Sequence, residues 1–177
     1  MTRKFLSGTI FIGMLFALLP SGYAAQKDMW RQATPAQLAA VLPSRAPVGD
    51  EHIETEMRTA SGIVDGHGHY IAGVVMITAG YSADGKYSHY MIVQAPVKIG
   101  HFSLKPGQYV FGWTRSGSEN ALTVHFYVAA TGQLVGTATA HWIQESTRIE
   151  SLHIWPPADK SEIQIGRFGI PYQVTGD

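Results

Sequence analysis

The amino-acid sequence predicts an all-β protein: one antiparallel β-sandwich of about nine strands, preceded by one short helix, with a small β-barrel as the alternative. Three observations carry this expectation. From His52 onward, short stretches rich in β-branched and aromatic residues recur between Gly, Pro, Asn and Asp turn signals. Two of these stretches, Ala121–Ala130 and Leu134–Trp142, alternate apolar and polar residues with a period of two. No internal repeat, heptad or low-complexity tract interrupts the pattern.

The first 24 residues read as a secretory signal. Arg3 and Lys4 supply the positive start, Phe5 to Leu19 is almost wholly apolar, and Pro20, Ser21 and Gly22 break the segment. Cleavage after Ala24 places small Gly22 and Ala24 at the recognition positions. The apolar run of roughly fifteen residues is short of the twenty or so that a membrane span needs, so no span is expected in the mature protein. The location expected is periplasmic or secreted. Loss of this segment removes two basic residues and no acidic one, leaving 11 basic against 13 acidic side chains. Such a chain does not attract polyanions, and nucleic acid is not expected as a partner. With no cysteine, the chain has neither disulfides nor thiol chemistry. An exported domain of this size without disulfides fits a bacterial envelope better than an animal extracellular module.

Residues 25–50 read as a linker with one helix. Thr34 caps it, Pro35 suits the first turn, and Gln37 completes a capping box. Leu38, Val41 and Leu42 form an apolar stripe, and Pro43 and Pro47 end it. About eight residues cannot hold a helix alone, so it must dock on an open end or edge of the main domain.

The main domain is expected over residues 51–175. "HIETEMR" alternates, with Ile53, Thr55 and Met57 on one face. Tyr70 to Tyr81 is too apolar on both faces to be half exposed. Asp84-Gly85 then reads as a hairpin turn, because both residues tolerate positive φ, and Tyr87–Gln94 returns. "IGHFSL" and "QYVFGWTR" flank Lys105-Pro106-Gly107, and "SGSEN" is a loop. In the next hairpin a Thr131-Gly132-Gln133 loop sets Ala130 opposite Leu134, Phe126 opposite Ala138 and Leu122 opposite Trp142, so the apolar sets coincide. "RIESLHIW" and "EIQIGRF" complete the strands.

"FSLKPGQYVFGW" at Phe102 to Trp113 resembles the Leu-x-Pro-Gly-x-Tyr turn of transthyretin-like and carboxypeptidase-regulatory-like modules. "ATGQLVGTATA" at Ala130 to Ala140 is similar to their Gly-x-x-Val-x-x-Ala strand start. The resemblance covers about twenty residues, with the two segments in the opposite order from the family's usual one. It implies an immunoglobulin-like or transthyretin-like sandwich that binds or spaces without catalysis.

Histidine is the residue type most suggestive of chemistry. In "DGHGHYIAG", His67 and His69 share a face if they lie in one strand, a spacing that can present two imidazoles to a cation given a third ligand. Gly66 and Gly68 favour the other reading, a turn that opens a strand. His89 is expected on the opposite face from this pair, and so not as their third ligand. No carboxylate stands at a recognisable ligand spacing. In the hairpin register above, His125 and His141 are diagonal neighbours on the outward face with Tyr127 and threonines. That face reads as a solvated surface, with a weak metal site as the alternative. A metal-binding reading using His67, His69, His125 and His141 would take zinc or copper; otherwise no cofactor is expected. His52, His101 and His153 fit no pattern.

Tyr109, Phe111 and Trp113 alternate on one face of a strand. They read first as core and second, with Tyr127, as the wall of a ligand site. Catalysis has little support. Ser61, Asp65 and His67 are the residue types of a triad, but adjacency in sequence does not build one, and Ser61 lacks a nucleophile elbow. Glu54 and Glu56 read as the solvated face of a strand rather than as an acid–base pair with Asp65. The expected function is an exported non-catalytic binding or structural accessory protein of the cell envelope, its partner a small ligand or an envelope protein. A periplasmic metal-binding protein and a small barrel binding an apolar ligand are the alternatives.

Overall fold

A computed structural model describes residues 29–117, 120–144 and 149–175. The signal segment, residues 1–24, lies outside the described residues. The elements in chain order are β1 (Arg31–Gln32), α1 (Pro35–Val41), β2 (Arg45–Val48), β3 (Glu51–Val64), β4 (Tyr70–Met76), β5 (His89–Val93), β6 (Val97–Ile99) and β7 (Phe102–Leu104). They continue with β8 (Gly107–Arg115), β9 (Ala121–Val128), β10 (Leu134–Trp142), β11 (Glu150–Trp155), β12 (Glu162–Gly166) and β13 (Phe168–Val174).

The strands form a large antiparallel sheet in the order β1-β3-β4-β5-β8-β9-β10-β13-β12-β11, with β2 paired to β3 and β6 bridging β13 and β7. The sheet is nearly barrel-shaped. Its last strand, β11, comes back against β3 and β4, where the buried Ser61 hydroxyl accepts a 2.9 Å hydrogen bond from the Ile154 N–H. Ser61 is therefore a fastening between strands.

The sequence reading counts about nine strands, and four more are present among the described residues. β1 and β2 come from the stretch read as linker. "IGHFSL" is divided into β6 and β7 by Gly100, which has φ +56°. Gly166, at φ +61°, turns the chain between β12 and β13.

The curled sheet encloses one apolar core and carries a second outside it. Inside lie Ile63, Ile71, Met91, Val93, Phe111, Val124, Phe126, Ile154, Ile163 and Ile170, contributed from around the whole sheet. Phe111 and Phe126 meet at 5.1 Å between ring centroids. Outside, Ala72, Val74, Tyr90 and Val110 face away from that core and are covered by Leu38 and Leu42 of the helix segment, Ala46 and Val48 of β2, and Ala83. This two-sided burial explains the unbroken apolar run of β4.

The helix follows its sequence signals closely. The Thr34 side chain accepts from the Gln37 N–H, the Gln37 side chain accepts from the Thr34 N–H, and Pro35 occupies the first turn. It docks on the outer face of β3 and β4, where the expectation was an open end or edge.

Two expected registers are corrected. β4 stops at Met76, well short of Tyr81, and residues 77–88 form a folded connection instead of a two-residue hairpin. Gly85 does have positive φ, at +72°. In the longer connection Val75 pairs with His89 and Ile71 with Val93. In the β9–β10 hairpin the pairing is shifted by two residues: Phe126 opposes Gly136 and Leu122 opposes Ala140, with a bulge between Leu134 and Gly136. A shift of two keeps each side chain on its expected face, which is why alternation alone could not detect it.

The 77–88 connection is pressed onto β8 at Gly112. A Cβ at Gly112 would stand 2.0 Å from the Lys86 carbonyl oxygen, a backbone atom that cannot rotate away. A different notch, at Gly169, holds the Glu162 carboxyl group. One Glu162 oxygen is buried there with no hydrogen-bond partner, and burial pushes the Glu162 carboxyl above its ordinary range, opposed by Lys160.

Gly112→Ala should destabilise the fold by about 1–3 kcal/mol through forced displacement of the connection. Gly117→Ala, with nothing within 4 Å of the added carbon, should stay within about 0.5 kcal/mol of the parent. Chemical denaturation of the two variants checks the contrast.

Candidate functional site

Antiparallel strands bring alternate strand ends together, and each end of the sheet carries a cleft. The larger, about 670 Å³, is built from the end of β4 (Val75), the start of β5 (His89), the end of β8 (Trp113, Arg115), the start of β9 (Leu122), the end of β10 (Trp142) and the start of β13 (Phe168). The smaller, about 460 Å³, lies at the opposite strand ends, between Asp65, His67, His69, Gln94, Pro106 and Val174.

The larger cleft is apolar within and cationic at its rim. Leu122, Ile165 and Phe168 line it, and Trp113, Trp142 and Ile149 remain substantially exposed around it, at 44%, 39% and 63%. Trp142 meets Phe168 edge to face at 5.3 Å, and the Arg167 guanidinium lies 5.6 Å from the Trp142 ring centroid. Arg115 and Arg167 form no ion pair with any described carboxylate. Glu150 also lines the cleft.

The cleft's inner wall includes His89, which is buried and stacks on Phe111 at 4.7 Å with the rings 5° from parallel. Its Nε2 is 3.2 Å from the Ser151 carbonyl oxygen and its Nδ1 is 2.8 Å from the Ser88 hydroxyl. A carbonyl can only accept, so Nε2 carries the proton and Nδ1 accepts from Ser88. Burial lowers the His89 pKa to about 4, opposed only partly by the bond to Ser151. The ring is thus a neutral tie between β5 and β11.

The expected aromatic row divides. Tyr109 and Phe111 belong to the inner core, with the Tyr109 hydroxyl donating to the Lys105 carbonyl at 2.7 Å. Trp113, at the strand end, faces the larger cleft. Tyr127 is on the other face of the sheet, partly buried against Tyr87 at 4.9 Å, and does not share a wall with Trp113. The sequence signal missed was position along the strand: alternation assigns a face, whereas distance from the strand's end decides core or rim. Trp142 is related to this row in sequence only by residue type, and Arg115 and Arg167 carry no signal of their own, because the three converge only when β8, β10 and β13 are assembled.

The histidines also redistribute. His89 shares its sheet face with Ile71 and Val75, correcting the expectation that it lies opposite to the face assigned to His67 and His69. It is still no partner for them, because His89 pairs with Val75, six residues or roughly 20 Å along the strand from His69. His125 pairs with Thr137 and His141 with Ala121. Four residues, about 13 Å of strand, therefore separate these two where diagonal contact was expected. His125 instead lies near Thr114, at 3.5 Å, and Tyr127.

His67 and His69 occupy a turn before β4, the reading that Gly66 and Gly68 favoured; Gly68 has φ +87°. Asp65 organises it. One carboxylate oxygen accepts from the His67 and His69 N–H groups at 2.8 Å each, and the other is 2.8 Å from the His69 Nδ1 and 3.8 Å from the His67 Nδ1. Burial raises the Asp65 carboxyl, but these hydrogen bonds together outweigh it and hold the group below its ordinary range. The expectation that no carboxylate has ligand spacing is corrected here: Asp65 is inside the motif, and the turn folds it back onto both imidazoles. Elsewhere Glu54 pairs with Arg45 at 3.3 Å and also receives the Tyr81 hydroxyl, and Glu56 pairs with Arg58 at 2.7 Å.

His89 gives a measurable pH dependence. The unfolded imidazole takes up a proton near pH 6.5 and the folded one near pH 4. The stabilisation is thus present above pH 6.5 and lost as the pH falls towards 4, by up to about 3 kcal/mol. Urea denaturation of the parent and of His89→Gln between pH 7 and 4 should show a flatter profile for the variant. Comparison with known proteins adds no relative to this geometry: no family model, no curated protein and no solved structure matches the chain.

Proposed function

We propose that the protein is an exported, non-catalytic binding protein whose sheet closes as a small β-barrel and whose larger open end holds an amphipathic ligand with an acidic head group. The observation that carries this reading is the cleft itself, about 670 Å³ of mainly apolar space with Arg115 and Arg167 at its edge. Exposed Trp113, Trp142 and Ile149 would lose contact with water when an apolar chain enters, a favourable change of about 25 cal/mol per Å² buried. The two guanidiniums, unpaired with described carboxylates, suit a carboxylate or similar anion through charge-assisted hydrogen bonds.

A barrel is the better description of closure because β11 lies against β3 and β4 and is tied there by Ser61. The barrel interior is filled by side chains, so the ligand site is the mouth. The non-catalytic reading is supported by His89, whose ring nitrogens are both engaged, Nε2 with the Ser151 carbonyl across the strands and Nδ1 with the neighbouring Ser88 hydroxyl. Export rests on the N-terminal charged, apolar and small-residue succession. A periplasmic place in the cell envelope is the setting proposed for such a carrier.

The reading is tested by tryptophan fluorescence during titration with a long-chain fatty acid and with the alcohol of the same chain length. The expected result is saturable binding of the acid at micromolar concentration and about tenfold weaker binding of the alcohol. Arg115→Ala with Arg167→Ala should abolish that preference, and Trp113→Phe with Trp142→Phe should remove the signal change. Equal binding of acid and alcohol would leave only an apolar site, and no binding of either would overturn the proposal.

A further inference from the structure

The opposite end of the sheet carries a separate chemistry. We infer that Asp65, His67 and His69 form a binding site for a single divalent transition-metal ion, with zinc or copper as the fitting class. One ligand atom from each residue lies within 4.8 Å of the others. A four-coordinate ion with bonds of about 2.0–2.2 Å holds its ligand atoms roughly 3.3–3.5 Å apart. The carboxylate oxygen stands 2.8 Å from the His69 Nδ1 and 3.8 Å from the His67 Nδ1, so these two contacts need adjustment by about half an ångström to meet that spacing, and a metal bound at the His69 Nδ1 displaces to solvent the proton that now bridges it to Asp65.

Three features make this more than a polar turn. The Asp65 side chain is 8% exposed, while those of His67 and His69 are 45% and 54% exposed. The carboxylate is therefore largely shielded from water and held, while the two imidazoles are reachable from solvent. Both backbone N–H bonds fall on one carboxylate oxygen, which leaves the second directed at the imidazoles. No described lysine or arginine pairs with Asp65, so among the described residues its second oxygen has only the two imidazoles as side-chain partners.

The three residues also line the smaller cleft, about 460 Å³, beside Trp30 and Gln94. A metal held by two imidazoles and one carboxylate would keep an open coordination position, and the three ligands border a space large enough for water or a small anionic ligand. Imidazole and carboxylate donors suit zinc and copper better than calcium or magnesium, which prefer all-oxygen sites.

The test uses the full mature chain, untagged, at pH 7.5. Zinc is titrated in competition with a chromophoric chelator, and copper(II) is followed by quenching of tryptophan fluorescence. The inference expects one zinc per chain with a dissociation constant below about 10 μM, equivalent to about 7 kcal/mol. His67→Ala and His69→Ala should each weaken binding at least tenfold. Asp65→Asn, which keeps an oxygen for the two backbone N–H groups, should weaken zinc binding while the far-ultraviolet circular dichroism stays unchanged. His125→Ala with His141→Ala should leave the affinity as it was, and Trp30→Phe should remove most of the copper quenching. Absence of 1:1 binding tighter than 10 μM, or binding insensitive to His67 and His69, would overturn the inference. Fatty-acid binding at the other end is measured separately, so either result stands without the other.

Discussion

The constraint on which the rest depends is that β4 and β5 are apolar on both faces. A sheet wet on one side could not hold Ala72, Val74 and Tyr90 together with Ile71, Met91 and Val93. Each face needs a cover, and the chain supplies two different ones. Curling brings β11, β12 and β13 across the inner face, and the helix, β2 and the 77–88 connection are laid over the outer face. The helix, too short to be stable alone, exists because that outer face has to be covered.

Closing the inner face has consequences for function. Once Phe111, Phe126 and their neighbours fill the interior, space remains only where strands end and loops diverge. At one end, small and polar residues of the turns surround a carboxylate. At the other, Trp113, Trp142 and Phe168 have no opposing layer, and arginines stand among them. The two ends thus acquire different linings, one with Asp65, His67 and His69, the other with Trp113, Trp142, Arg115 and Arg167. His89 shows how strictly the interior is kept dry: its ring stays neutral, stacks on Phe111 and spends its two nitrogens on Ser88 and Ser151.

Much of the secondary structure was legible. The capping box at Thr34 and Gln37 appears atom for atom, because capping is a local hydrogen-bond pattern. The faces of β9 and β10 follow the alternation of Leu122, Val124 and Phe126. Pairings over longer distances were less legible. The register of that hairpin was misplaced by two residues because a bulge near Leu134 alters the count without changing either face. The facing of His89 departs from the alternation pattern because the 77–88 connection is longer than a two-residue turn and pairs His89 with Val75. The clefts are legible only in fragments: His67, His69 and Trp113 stand out as residues, whereas Arg115, Arg167 and the role of Asp65 do not.

By itself the sequence determined what short-range physics controls: an all-β domain, one capped helix, the glycine turns, the inward and outward faces of each clear strand, and the absence of cysteine chemistry. Only the tertiary structure decided which strand ends meet. Curling of the sheet sent Tyr109 and Phe111 inward, left Trp113 at a strand end and turned Ser61 into a fastening for β11, while the bulged register of β9 and β10 separated His125 from His141. The physical reason is that alternation encodes a side chain's face but not its distance from the sheet's edge. Whether a residue is core, rim or ligand depends on which distant strand is folded beside it.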